Sequence, residues 1–419
     1  MLGSNGSKES KESKESKESK ASKAISKPFL RLYALALLFF SANSILNVIL
    51  PLRIEAFGGS NSQIGFIMGA YMFTCMFFRP WAGHLIYKHG PGAVLRILLV
   101  VNGSALLLYT FTGWEGYLTA RVLQGVCTAF FSMALQMGII DELPEEERSQ
   151  GLSLYSLFTY MPTILGPLLA VGIWDWGGMG GFTVVMLVIA LATALFGYRV
   201  PRQDVSERRG TAAPGYSGMR GMLGQLVRNR PLLVCSVLML LVSVVFGAVS
   251  SFIPLYARQI VHGHAGVYLM LQAAVIVTAR FALSKRIPSD GKWHARFVGA
   301  VCLLGGAGAW LLSLSQVWGP VSFYSAAVLI GLSQALLYPT LTTYLTFVIP
   351  GSSRNVAIGL FVATADLGVS LGGITMGPIA DWFSYSTMYA GGAVMAAAAA
   401  ALALLNRSMQ ARTPRAESG

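Results

Sequence analysis

Apolar residues in this chain come in blocks of about twenty, parted by short polar breaks. An α-helix of about 20 apolar residues spans the hydrocarbon of a bilayer. Such runs are expected near residues 29–51, 63–86, 93–113, 116–140, 149–173 and 181–199. Six more are expected near 232–256, 264–284, 295–315, 320–348, 354–379 and 386–405. The blocks predict an all-α membrane protein with twelve transmembrane helices.

The polar exceptions inside the blocks repeat. Arg79 and Arg280 lie 201 residues apart, each fourteen residues after a glycine that opens an apolar run, Gly65 and Gly266. Each of those runs follows one that ends in Pro-Leu, at Pro51-Leu52 and Pro254-Leu255. Arg148 with Arg354, Gly166-Pro167 with Gly377-Pro378 and Asp175-Trp176 with Asp381-Trp382 keep a similar offset. A period near half the chain length means duplication of a large unit. The predicted architecture is two pseudo-symmetric six-helix bundles, residues 25–200 and 231–406, joined by a basic Gly- and Ser-rich linker over 201–230. Lys-Glu-Ser triplets from Lys8 to Ser19 mark 1–24 as a disordered tail, because such a segment cannot bury a core. Residues 407–419 form a second, short basic tail.

Composition narrows the class. Of 419 residues, 54% are hydrophobic and 12% charged, about half the charged fraction of a soluble protein. Of the 31 basic residues, 26 fall on one side if the N-terminus is cytoplasmic. Only Arg53 and Arg258 then lie outside, with Arg79, Arg121 and Arg280 within the membrane. Positive charge gathers on the cytoplasmic side of membrane proteins, so both termini are expected there, in the plasma membrane. The same distribution accounts for the net charge of +13 without a nucleic acid partner. Cys75, Cys127, Cys235 and Cys302 fall on different helices and read as packing residues, without zinc-site or disulfide spacing. The first apolar segment is too long for a cleavable leader, so none is expected.

The candidate chemistry lies where charge enters hydrocarbon. A guanidinium there costs several kcal/mol and faces a bundle interior or an aqueous cavity. Asp366 is the one carboxylate found deep in a predicted span. Burial and a neighbouring arginine act on such a carboxyl in opposite directions, so its protonation can change with conformation. A static ion pair with an arginine is the plainer reading. One aspartate cannot neutralise two arginines, which favours anion binding by at least one of them. Arg280 leads, because Arg79 precedes Pro80 and is expected partly to cap a broken helix. Asn43, Asn47, Gln124, Gln136, Tyr155, Gln272, Gln334 and Tyr338 complete a candidate cavity, although each alone is more often an interhelical hydrogen bond. His262 and His264 offer too few ligands for a metal, and the acidic run ending at Arg148 reads as a solvated turn with Arg148 closing a helix. No nucleophile with its base, phosphate loop or cofactor site emerges, so neither an enzyme nor a resident cofactor is expected.

Several strings carry a resemblance. Gly83-His84-Leu85-Ile86-Tyr87-Lys88-His89-Gly90 is similar to the Gly-x-x-x-Asp-Arg/Lys-x-Gly loop of the major facilitator superfamily, with Tyr87 in place of the acid. Arg121-Val122-Leu123-Gln124-Gly125 resembles the superfamily's intramembrane arginine motif, which implies a part for Arg121 in proton coupling. Pro162-x-x-x-Gly166-Pro167 is a partial match to its antiporter signature, with proline where the first glycine belongs. Small residues let helices approach and proline bends them, so Gly83, Gly90, Gly166 and Pro167 are the conformational candidates.

Longer strings are similar to the staphylopine exporter family, among them Phe78-Arg79-Pro80-Trp81-Ala82-Gly83, Pro288-Ser289-Asp290-Gly291-Lys292-Trp293-His294 and Ala365-Asp366-Leu367-Gly368. That resemblance runs from about Pro28 to Asn406. It implies export of a nicotianamine-like opine metallophore, a zwitterionic or anionic small molecule, by a functional monomer that exchanges it for protons. Arg79 and Arg280 would hold carboxylates, and Asp366 an amine or a proton. The residues by themselves indicate only an amphoteric or anionic cargo. They leave open a proton-coupled multidrug exporter, an importer, and a membrane sensor, which would be expected to carry a soluble domain.

Overall fold

The computed structural model describes residues 23–198, 224 and 229–407. Most of the tail assigned to 1–24, of the 201–230 linker and of the 407–419 segment lies outside these residues.

The first four helices are α1 (Lys27–Ala56), α2 (Asn61–His89), α3 (Pro91–Phe111) and α4 (Trp114–Glu142). The helical run Glu145–Tyr198 breaks at Gly178, whose φ of 48° and ψ of −130° suit a residue without a Cβ. It divides into α5, residues 145–177, and α6, residues 179–198. Then come α7 (Arg230–Tyr256), α8 (Ala265–Ala282) and α9 (Ala295–Ser313). A second break, at Gly319 within Ser315–Val348, leaves α10 as residues 320–348. The order closes with α11 (Gly351–Trp382) and α12 (Tyr385–Leu405). The twelve predicted spans therefore each find a helix. Of these, α2 is the least apolar, because Arg79, His84, Lys88 and His89 all fall on it. At 29 residues it is still about 43 Å long, enough to cross.

Local signals place the helix ends. Ser60 and Gln63 form a reciprocal cap at the start of α2, each side chain accepting from the other's backbone N–H. Gly90 turns the chain from α2 into α3 with a φ of 78°, which favours glycine. Arg148 closes α4 as expected, its Nε donating to the Ile140 carbonyl at 2.9 Å. One expectation fails: α2 runs without a break through Pro80 to His89, so Arg79 caps no helix end. Proline removes a single backbone donor there, and packing against α4 and α11 holds the helix together.

The first bundle packs α1 against the α5–α6 run and α2 and α3 against α4; the second packs α7 on α11 and α12, α9 on α10 and α12, and α8 on α10. Four helix pairs join the bundles, chiefly α2 with α11 and the α5–α6 run with α8, and also α7 with α1 and with α2. At one end the bundles meet closely. A Cβ built on Gly65 would stand 2.1 Å from the Gly373 carbonyl oxygen, and one on Gly69 would stand 2.7 Å from that of Ser370. Asp381 of α11 accepts from the backbone N–H groups of Asn61 and Ser62 at 2.9 and 2.8 Å, satisfying orphan donors at the start of α2. Arg258 and Glu55 add an ion pair at 2.7 Å across the same seam. At the opposite end a Cβ on Gly359 of α11 would meet nothing within 4 Å, and one on Gly83 of α2 would meet only Met133 of its own bundle. The molecule is closed at the end that basic-residue placement predicts to be external, and its bundles part toward the other.

Candidate functional site

Between the bundles lies a cavity of about 360 Å³ walled by α1, α2, α5, α7, α8, α10 and α11. Its walls are mostly apolar, with Val242, Phe246, Ile276 and Val277 prominent. Against that background the polar groups are few and converge on the middle. Of the residues singled out from sequence, Asn47, Gln272, Arg280, Gln334, Tyr338 and Asp366 line this space, and so does Pro167.

Asp366 stands on α11 with its Oδ2 2.6 Å from Nε of Arg79 on α2. The pair joins the two bundles. Its members differ in access, the aspartate side chain being 13% exposed and the arginine 34%, so the arginine is the wetter partner. Arg280 on α8 also reaches across, donating from Nη1 to the hydroxyl of Tyr160 on α5, with its guanidinium 5.5 Å from the centre of that ring. Among the described residues no carboxylate pairs with Arg280. Its Nε has no hydrogen-bond partner, and neither has Nε2 of Gln272, which is buried on the same helix. Both are donors that the protein leaves unspent.

The other candidates lie off the cavity wall, Arg79 among them, which meets Asp366 from α2. Asn43, Gln124 and Tyr155 are inside the first bundle rather than on the cavity wall. Arg121, fully enclosed, donates to Oδ1 of Asn43 at 3.1 Å and of Asn47 at 3.0 Å, and lies 5.4 Å from the Tyr71 ring centre. Gln124 accepts from the Tyr109 hydroxyl at 2.7 Å. Tyr155 is buried and meets Gln136. Asn47 is shared, touching both Arg121 and the cavity. Arg121 therefore braces α4 to α1 behind the wall. Arg121→Ala is expected to lower the melting temperature of the detergent-solubilised protein, because each amide carbonyl it orphans costs about 1–3 kcal/mol. An unchanged melting curve would show that the two asparagines are held by something else.

Gly166 fits the same brace, since a Cβ there would stand 2.4 Å from Oγ of Ser44 on α1. Neither Gly83 nor Gly90 touches the cavity; they belong to the α2–α3 corner. The described residues hold no group of three or more His, Cys, Asp or Glu side chains suited to a metal ion. Sequence reasoning missed Tyr160, although a signal was present: it stands 206 residues before Asp366, within the spread of the repeat.

Comparison with known proteins gives the family and the fold. Residues 32–316 match the model of the Major Facilitator Superfamily. The chain is 50% identical to the staphylopine export protein of Staphylococcus aureus over 370 residues, covering 87% of this chain and 92% of that one. It is 22% identical to an uncharacterised MFS-type transporter, YhhS, of Escherichia coli over 90% of this chain and 92% of the other. Among solved structures, the nucleoside transporter NupG superposes with a TM-score of 0.72 at 13% identity, covering 92% of this chain and 100% of that one. A bacterial homologue of the human lysosomal transporter Spinster, in an inward-facing and unoccupied conformation, gives 0.71 at 14% identity over 93% and 98% of the two chains.

Proposed function

The chain belongs to the major facilitator superfamily, in the branch that holds the staphylopine export protein, and from that premise we propose that it exports a staphylopine-type metallophore by proton antiport. It is a multi-pass membrane transporter rather than an enzyme by family. The 50% identity to a protein of that name supports the cargo. One observation carries the chemistry. Arg280 sits in the cavity wall with a tyrosine hydroxyl for its partner, so a guanidinium is held ready for an anion. A carboxylate fits it in two-pronged geometry.

In this reading the closed end faces outward and the open end takes cargo from the cytoplasm, where both termini lie. A cargo carboxylate seats on Arg280, and a second seats on Arg79 only once Asp366 has been neutralised. The bundles then rock about the cavity and expose it outward. A proton reaching Asp366 from outside, or an amine of the cargo, neutralises the acid, and release resets the cycle. The protein acts as a monomer in the plasma membrane. The apolar walls favour one alternative, a proton-coupled exporter of lipophilic compounds. Arg280 argues against it, because a fixed cation in the wall repels the cations such exporters carry.

Mass spectrometry of metal-starved cells with and without the gene tests the reading. Deletion should raise staphylopine-type metallophore inside the cells and deplete it from the medium. An unchanged distribution would reject the cargo and bring the lipophilic alternative forward. At the site, Arg280→Ala should weaken cargo binding by about 10- to 100-fold, the worth of one charge-assisted contact. Arg280→Lys should fall between Ala and wild type, since lysine keeps the charge and loses the planar fork. Arg280→Lys equal to wild type would argue for a simple point charge, and Arg280→Lys equal to Arg280→Ala would show that the planar fork carries the binding.

A further inference from the structure

Beside the cavity two arginines cross from one bundle to the other, and the duplication relates their partners. Arg79 on α2 meets Asp366 on α11, and Arg280 on α8 meets Tyr160 on α5. Tyr160 and Asp366 are separated by 206 residues, the offset that also relates Arg148 to Arg354 and Asp175 to Asp381. Tyr160 therefore holds the place in the first half that Asp366 holds in the second. The duplicated contact survives in both halves, but one acceptor is an acid and the other a phenol.

This substitution changes the charge of the cavity and little else. With an acid at both positions each guanidinium would be neutralised within the protein, and a carboxylate arriving from solution would find no free cation. With tyrosine at one, Arg280 keeps its position through a hydrogen bond and ring contact while its charge stays available. A neutral hydrogen bond is the weaker one, since charge-assisted bonds are roughly twice as strong. A carboxylate can therefore displace the phenol where it could not readily displace an aspartate. The other unspent donor, Nε2 of Gln272, lies on the same helix eight residues away, about 12 Å along the axis. An extended cargo with two separated acceptors would reach both.

We infer that Tyr160 is the neutral counterpart of Asp366: it holds Arg280 in the empty cavity and yields that guanidinium to a carboxylate of the cargo. Tyr160 is a positioning residue that sets specificity for anions. A second consequence concerns coupling. Only one of these two contacts beside the cavity contains a proton-carrying acid, so this pair of contacts exchanges at most one proton in a cycle. The inference rests on the export reading for the name of the cargo and not for its charge.

Isothermal titration of the purified full-length protein with metal-free staphylopine, and separately with citrate, provides the test. Tyr160→Phe and Tyr160→Asn should weaken binding by about threefold, because Arg280 loses part of its placement and keeps its charge. Tyr160→Asp should bind about 10- to 100-fold more weakly, because it neutralises Arg280 from within. Asn and Asp are nearly the same size, so their difference reads charge and not shape. Equal weakening in those two variants would overturn the inference, showing that the ring itself is required. Loss of binding in Tyr160→Phe would overturn it also, by making the hydroxyl a cargo contact. Wild type that ignores staphylopine but binds citrate, with Tyr160→Asp weaker, would sink the metallophore reading and support the role of Tyr160. Wild type that binds neither would overturn both.

Discussion

Asp366→Asn is expected to reach the membrane folded and to lose export driven by a proton gradient, while exchange of labelled cargo at equal pH on both sides persists. Asp366 and Arg79 meet at 2.6 Å across the bundle interface, beside the cavity. Asparagine keeps the shape and loses the capacity to take up a proton, so the step that links proton entry to resetting disappears. Stability should fall less than the proximity suggests. Breaking a fully buried pair costs about 3–5 kcal/mol, but the Arg79 side chain is 34% exposed and water in the cavity solvates the charge left behind. The drop in driven export should therefore be tenfold or more without a matching drop in protein recovered from membranes. A static brace predicts something different. For a brace, the exchanged pair Arg79→Asp with Asp366→Arg restores the attraction and should restore export. For a proton carrier, the exchanged pair moves the acid to α2 and export should stay lost. Recovery in the exchanged variant would rule out the coupling role.

The sequence made the depth of each polar residue legible and left its direction hidden. Blocks of about twenty apolar residues give spans, and the offset between Arg79 and Arg280 gives the duplication, because both are one-dimensional facts. The excess of arginine over acid was equally readable, but the preference for Arg280 rested on Pro80 breaking the helix after Arg79, and α2 runs unbroken through it. What could not be read was which face of a span turns to the cavity. A helix apolar on all sides has no amphipathic stripe to fix its rotation. Asn43 and Asn47 are one turn apart on α1 and look alike in sequence, yet both accept from Arg121 and only Asn47 also reaches the cavity. Gln124 was equally ambiguous, and it is occupied by Tyr109. Tyr160 escaped notice for the opposite reason. A tyrosine among apolar residues is unremarkable until the repeat places it opposite an aspartate.

Gly65→Ala should open the closed end of the transporter instead of unfolding it. A Cβ at Gly65 would stand 2.1 Å from the carbonyl oxygen of Gly373 and 3.1 Å from the ring of Phe252, and both belong to the second bundle. The three nearest atoms all belong to the second bundle, so the strain falls first on the seam. Overpacking of this kind costs about 1–3 kcal/mol, and in an equilibrium between two conformations that shifts the populations about 5- to 150-fold. Ser250 lines the cavity on α7, toward the closed end, and reports the opening. With Ser250→Cys as background, a membrane-impermeant thiol reagent added outside should label the Gly65→Ala protein and leave the parent unlabelled. The four natural cysteines are buried and contribute little. Gly247→Ala is the control, since its Cβ would stand 2.1 Å from the Val369 carbonyl oxygen, a clash inside the second bundle. That variant has no second conformation that relieves the contact, so it should lower the yield of folded protein without exposing the reporter. If the two glycine variants behave alike, the seam between Gly65 and Gly373 is ordinary packing and the transporter closes elsewhere.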